Sequence, residues 1–181
     1  MVSLHINYNK LHLKRESYII QGTPTTQNGN LKCVKTNYYG EWTSEDCSVK
    51  YPFICKMAAQ MSTDFPTVYP PTAPTTTKPC DMDQPDNGWV SNPLDSENRY
   101  CYYFDTVSKL SWKDAEEQCG VKGGSLVSIH SNSENGFILS NLKHSDSWLG
   151  FNSIYSGDWE WTDHSNVGFL RWAPGGNKNC L

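Results

Sequence analysis

Large apolar side chains arrive along this chain in short bursts, and their spacing changes with position. Tyr100-Cys101-Tyr102-Tyr103-Phe104 is an unbroken run of rings around a cysteine, which reads as a buried β-strand. Ser111 with Asp114 three residues on carries a capping-box signature, and Trp112, Ala115 and Cys119 then share one face of the helix it opens. Gly123-Gly124 ends that helix, and Leu126, Val127 and Ile129 suggest a short strand. Ser131 with Glu134 repeats the capping signature and opens a second helix, whose Phe137, Ile138 and Leu142 would face the core. After Trp148 the pattern turns to short aromatic strands and turns: Ser156-Gly157-Asp158, then Trp159 and Trp161 at strand spacing, then Trp172-Ala173-Pro174-Gly175. A strand, two short helices and aromatic hairpins make an α+β plan, with helices segregated from a small antiparallel sheet.

Residues 57–79 break the pattern. The segment MAAQMSTDFPTVYPPTAPTTTKP holds six Thr and five Pro and no core-forming periodicity. Pro stiffens such a stretch toward polyproline II, so it reads as an extended linker, and its composition also suits an O-glycosylated stalk. Before it lies a short cysteine-bearing tail, roughly Asn28 to Lys56; after it, Cys80 to Leu181 carries most of the fold information.

Charged residues make up only 19% of the chain and rings 13%, so a core built from rings is affordable and global disorder is not expected. The net charge of -4 supplies no basic footprint for nucleic acid. No apolar run is long enough to span a bilayer. The seven cysteines, Cys33, Cys47, Cys55, Cys80, Cys101, Cys119 and Cys180, are widely spaced with no CxxC, which favours structural disulfides in an oxidising compartment. An odd count leaves at least one thiol without a partner in the chain. The first ten residues lack the apolar stretch of a secretory signal, so an extracellular protein would have its true N-terminus elsewhere.

The ordered motifs resemble the C-type lectin-like domain family across nearly all of Cys80 to Cys180. Cys101-Tyr102-Tyr103-Phe104 resembles its first strand, and residues 112–119 (WKDAEEQC) its first helix. Residues 124–129 (GSLVSI) followed by Ser133-Glu134-Asn135 resemble the step into its second helix. Ser147-Trp148-Leu149-Gly150 resembles its core signature, with residues 159–163 (WEWTD) and 169–172 (FLRW) following in order. The tail resembles the last third of the same family: Cys33-Val34, Gly40-Glu41-Trp42, Cys47 and Tyr51-Pro52-Phe53-Ile54-Cys55. The resemblance therefore implies residues 1–56 as the end of a first domain with a non-matching N-terminal extension, 57–79 as linker, and 80–181 as a second domain cut short at its C-terminal end. Trp148, Trp161 and Trp172 are expected in the core rather than as sugar platforms, and Lys113, Glu116 and Glu117 as a solvated helix face.

Calcium-dependent members of the family hold sugar through a Glu-Pro-Asn or Gln-Pro-Asp loop and a Trp-Asn-Asp strand, since calcium needs six to eight oxygen ligands. Here the loop position in the tail reads Thr23-Pro24-Thr25 and the strand position Trp42-Thr43-Ser44. In the second copy the loop reads Gly176-Asn177 followed by Lys178. None supplies the carboxylates. Gln84-Pro85-Asp86 mimics the triplet but lies before the first strand, where Pro-Asp-Asn-Gly is turn chemistry. Asp158, Glu160 and Asp163 are the best remaining acidic group, and solvated loop charge is the favoured reading. The five scattered His show no metal-ligand spacing. The expectation is no metal or cofactor. No Gly-x-Ser-x-Gly, HExxH or glycine-rich phosphate loop points to an enzyme. The function implied is an extracellular, secreted or ectodomain binding module for a glycan or protein ligand without calcium, or a structural or interaction domain of a multi-domain protein.

The family's disulfide pattern, carried onto this chain, implies Cys80–Cys101 as an N-terminal extension pair and Cys33–Cys47 as a loop pair. Cys119 then lacks a final strand and Cys55 lacks a first helix. Two arrangements stay open: the tail folds back as a permuted closing strand against residues 100–104, joining Cys55 to Cys119 and leaving Cys180 free, or the halves belong to separate domains. The 24 residues between Cys55 and Cys80, treated as a flexible coil, reach roughly 25–29 Å, ample for the fold-back.

Overall fold

The structure, a computed structural model, describes residues 31–59, 80, 88–97 and 99–174. Its elements in chain order are β1 (Cys33–Thr36), β2 (Trp42–Glu45), β3 (Tyr51–Ala58), β4 (Trp89–Ser91), β5 (Tyr100–Leu110), α1 (Trp112–Val121), β6 (Ser125–Leu126), α2 (Asn132–Asn141), β7 (Ser147–Asn152) and β8 (Glu160–Trp161). Tail and C-terminal region share one sheet in the order β2-β1-β7-β3-β5-β4, with β6 on β3 and β8 on β7. The seam is β3 against β5, antiparallel, with Ile54 opposite Phe104, Cys55 opposite Tyr103 and Met57 opposite Cys101. Three disulfides are formed: Cys33–Cys47, Cys55–Cys119 and Cys80–Cys101. Cys180 lies outside the described residues.

Pro52 to Met57 is buried without interruption. A half-exposed strand would alternate; a strand covered on both faces does not. Successive side chains leave a strand on opposite sides. Phe53 and Cys55 therefore join Trp112, Ala115, Cys119, Leu126 and Trp148 beneath α1. Ile54 joins Trp42, Tyr102, Phe137, Ile138, Leu149 and Trp161 beneath α2. Strand β7 splits in the same way, Trp148 to the first cluster and Leu149 and Phe151 to the second. Trp112 Nε1 donates to Leu149 O at 2.8 Å and Trp148 Nε1 to Leu110 O at 2.9 Å, as buried tryptophans usually do, whereas the buried Trp161 Nε1 has no partner among the described residues.

Both helices start where the sequence places them. Ser111 Oγ accepts from the Asp114 amide at 3.3 Å, and Ser131 Oγ from the Glu134 amide at 3.1 Å. Glu134 does not complete a regular box, because its carboxylate goes to the His130 amide and into the interior. Two expectations need adjusting. The strand expected over Leu126 to Ile129 is only Ser125–Leu126. Glu116 is not part of a solvated face: it is half-buried and accepts the Leu126 amide at 2.7 Å, tying α1 to β6. Burial raises its pKa, against the lowering by that amide.

Gly150 shows why the Trp148-Leu149-Gly150 signature ends in glycine. A Cβ there would lie 2.6 Å from both Leu126 O and Thr162 Oγ1. The Gly150 amide donates to Val127 O at 2.9 Å and its carbonyl accepts from Thr162 at 3.0 Å, so β7 is held between two segments with no room for a side chain.

Candidate functional site

Trp42 roots the face on which the family resemblance places ligand binding. Gly40 turns the chain into β2 with φ +76°, a conformation favouring glycine. Asn135 on α2 clamps that turn: its Nδ2 donates to Gly40 O and its Oδ1 accepts from Trp42 Nε1, both at 3.0 Å. The Trp42 amide donates to Arg171 O at 2.8 Å and the Ala173 amide to Trp42 O at 3.0 Å. The indole packs edge-on against Trp161, Phe169 and Trp172 at 5.6, 5.7 and 6.2 Å. Trp42 thus pins the 163–173 loop to β2 from inside the core and offers no ring to solvent. Trp148 and Trp161 are likewise fully buried, and Trp172 is half-buried on the same cluster.

Thr43 and Ser44 pair with Lys35 and Val34 of β1. The acids nearby are already engaged. Lys35 Nζ sits 2.5 Å from Asp146 and 3.9 Å from Glu45, and 4.6 Å over the Tyr51 ring. Burial lowers the Lys35 pKa, but the Asp146 hydrogen bond and charge together with Tyr51 outweigh it and the net shift is upward. Asp158 lies in the bend before β8, not on a strand with Glu160. Glu160 accepts from Ser156 at 3.1 Å. Asp163 accepts from Ser128 and Ser165; burial raises its pKa, but these hydrogen bonds and Lys56 hold it below the usual range. Among the described residues no three His, Cys, Asp or Glu gather to hold a metal. Thr23, Pro24, Thr25, Gln84, Pro85, Asp86, Gly176 and Asn177 lie outside the described residues.

A second polar centre was not singled out from the sequence. Lys56, 5% exposed, projects from β3 beneath α2 and meets Glu134, 7% exposed, at 2.6 Å. Tyr102 OH donates to the same Glu134 Oε1 at 2.7 Å. Lys56 also donates to Ser128 O at 2.9 Å and lies 4.1 Å over the Tyr100 ring. Burial, then the Glu134 charge, drives the Tyr102 phenol far above its ordinary value. A cavity of about 500 Å³ opens over this pair, lined also by Asn92, Asp95, Arg99 and His130. The available signal was a lone Lys in the apolar run Phe53-Ile54-Cys55-Lys56-Met57; a buried cation demands a carboxylate.

Residues 108–181 match the family described as Lectin C-type domain. Human C-type mannose receptor 2 is 32% identical over 154 residues, covering 80% of this chain and 9% of that protein. Human lymphocyte antigen 75 is 39% identical over 98 residues, 50% of this chain and 6% of that protein. Mouse low affinity immunoglobulin epsilon Fc receptor is 40% identical over 80 residues, 44% of this chain and 24% of that protein. The chain thus spans a small fraction of each relative's length. No solved structure matches it. Among the described residues no helix is long and apolar enough to cross a membrane. The matched family, the two-helix fold around a mixed sheet, and the Trp148-Leu149-Gly150 packing lead to one assignment: the chain belongs to the C-type lectin-like domain family.

Proposed function

We propose that this chain is an extracellular lectin-like binding module that engages a glycan or protein ligand without calcium and performs no catalysis. The observation that carries the calcium reading is on β2. Thr43 and Ser44 stand where the calcium-dependent pattern has Asn and Asp, and Lys35 is already paired with Asp146 and, at longer range, with Glu45 beside them. A cation entering there would compete with a covalently tethered ammonium and find hydroxyls in place of carboxylates. The ligand face in this reading is the 163–173 loop held on Trp42.

The test is thermal melting with millimolar calcium and then EDTA, alongside binding to immobilised glycans under both conditions. A ligand at a hundred times its dissociation constant adds about 2.7 kcal/mol of stability. No calcium shift and EDTA-insensitive binding are expected. A calcium-dependent rise in melting temperature reversed by EDTA overturns the reading.

A second reading is that the chain works as one unit of a tandem array, with residues 1–56 and 80–181 from neighbouring domains and 57–79 as the linker between them. What favours it is the alignment with human C-type mannose receptor 2: a match over 80% of this chain must run through the Thr/Pro-rich segment. Secretion or display on an ectodomain accords with three disulfides and with relatives that are receptors. In this reading the module is a spacer or protein-binding unit. Binding measured on the isolated chain separates the two readings, since a spacer shows none.

A further inference from the structure

Divided after Ala59, the domain separates into two pieces, each lacking strands that the other holds. The tail supplies β1, β2 and β3; the body, from Cys80 onward, supplies β4 to β8 and both helices. In the sheet order β2-β1-β7-β3-β5-β4, only β3 joins β7 to β5. Without a tail, β5 keeps only β4 and β7 only β8 as partners. The cluster beneath α1 loses Phe53 and Cys55, and the cluster beneath α2 loses Trp42 and Ile54. The tail also brings Cys55 to Cys119, Lys56 to Glu134 at 2.6 Å and Trp42 Nε1 to Asn135 at 3.0 Å. None of these contacts requires that tail and body come from one chain. We propose that the chain exchanges tails with a second copy of itself: each body is closed by the other copy's β1, β2 and β3, and two Cys55–Cys119 bonds join the chains.

The reason lies where tail and body join. Ala59 packs on Met57, Cys80 and Cys101, and its amide donates to Arg99 O at 2.8 Å. Cys80 is bonded to Cys101 with 5.5 Å between their Cα atoms. Closure within one chain therefore requires residues 60–79 to end beside the point they left. Those 20 residues hold five Pro and six Thr. A flexible coil of that length has ends roughly 22–27 Å apart, and polyproline II would carry them to about 60 Å. Each Pro works against the return. A connector that keeps its ends apart lowers the effective concentration of a chain's own tail below the millimolar range of short flexible linkers, and a neighbour's tail then competes. In the exchanged dimer each connector runs from one closed body to the other and need not turn back. The exchange is two-fold and closed, since each copy gives one tail and takes one. The interchain bond forms as the intrachain one does: two thiols lose two protons and two electrons, which reduce a small-molecule disulfide to two thiols. Once formed, it fixes whichever pairing the tails have reached.

The dimer presents two ligand faces, each with its Phe169 and Trp172 held on the partner's Trp42. That bivalent display rests on the reading of the 163–173 loop as the ligand face; the exchange and its test do not. The unaltered 181-residue chain is prepared in 15N-labelled and unlabelled form, mixed in equal amounts, reduced and unfolded. It is then refolded with oxidised and reduced glutathione at about 10 µM and at about 1 mM. Monomer and dimer are separated by size-exclusion chromatography with light scattering, and the peptides joined by Cys55 and Cys119 are identified by mass. In the dimer about half of these peptides should join a labelled strand to an unlabelled one, the statistical share for tails exchanged between equal pools. Their share of all such peptides should rise at least about threefold from the lower concentration to the higher. Replacing Pro66, Pro70, Pro71, Pro74 and Pro79 each by Ser should lower that share about threefold at the higher concentration, because a flexible connector returns more readily. A chain that stays monomeric, or a dimer with only unmixed Cys55–Cys119 peptides, overturns the exchange. A mixed share unmoved by the Ser replacements overturns the part given to the connector. Failure leaves the calcium-independent reading standing, since no ligand enters the measurement.

Discussion

Cys55 and Lys56 are neighbours on β3, yet they fasten the strand to opposite sides of the domain by unlike means. Cys55 points beneath α1 and is bonded to Cys119 in an apolar cluster with Phe53, Trp112 and Trp148. Lys56 points beneath α2 into a cluster of charge and hydroxyls, fastened to Glu134, Ser128 and the Tyr100 ring. The first attachment does not depend on protonation. The second consists of groups whose charge must be matched, and it borders a cavity and the loop on Trp42. One strand thus has a permanent side and a conditional side, and the conditional side faces the candidate ligand surface.

The sharpest way to break this comparison is Lys56→Met. It leaves Glu134 ionised and buried without its cation, and stability should drop by about 3–5 kcal/mol in urea unfolding. Lys56→Met with Glu134→Leu should recover most of the loss, because removing both partners avoids the uncompensated charge. A double variant as unstable as the single one would mean that the pair contributes more than charge matching.

Replacing Cys55 and Cys119 together by Ala tests the other side. A bond across 64 residues constrains the unfolded chain by about 4 kcal/mol in the loop-entropy account, and residual structure reduces that figure. The β3–β5 register should survive, so cross-strand NOEs between Ile54 and Phe104 remain while the denaturation midpoint falls. Loss of the NOEs would show that the covalent bond, rather than side-chain packing, holds the seam.

Gly150→Ala is a smaller intrusion. Its Cβ meets backbone at 2.6 Å, so β7 must shift away from Leu126 O at a cost of about 1–3 kcal/mol. A neutral result would mean that β6 yields more easily than its packing suggests.

The mildest expected effect is on pH. Because His130 is held below its ordinary value in the fold, the unfolded chain binds the proton first. Stability is full above the free histidine pKa of about 6.5, declines as pH falls through it, and levels off below the folded value. Asp163, held below the usual carboxylate range, contributes stability that is present above about pH 4 and lost only in stronger acid. A melting curve flat from pH 7.5 to 5 would remove the conditional side from the comparison.

Much of the fold was legible because its signals are local. Ser111 and Ser131 cap helices through hydrogen bonds spanning three residues. The aromatic run at Tyr100 to Phe104 needed only strand geometry to be read, though β5 continues to Leu110. The Glu116 anchor was not legible, since its partner Leu126 lies on another element and a carboxylate on a helix reads the same whether it faces water or an amide. The Lys56–Glu134 pair was hidden for a related reason. Glu134 already had a local explanation as a capping residue, and its actual partner lies 78 positions away.

By itself the sequence determined the family, the α+β plan, the two capped helices, and the absence of carboxylates at Thr43 and Ser44. Each is a statement about residue types, or about groups within a turn or two of one another. Tertiary structure decided how β3 is used. A continuous apolar strand with one cation in it is compatible with either pairing of the halves, because alternation assigns neighbouring residues to opposite faces without saying what covers each face. Only the sheet, with α1 on one side and α2 on the other, put Cys119 over Cys55 and Glu134 over Lys56.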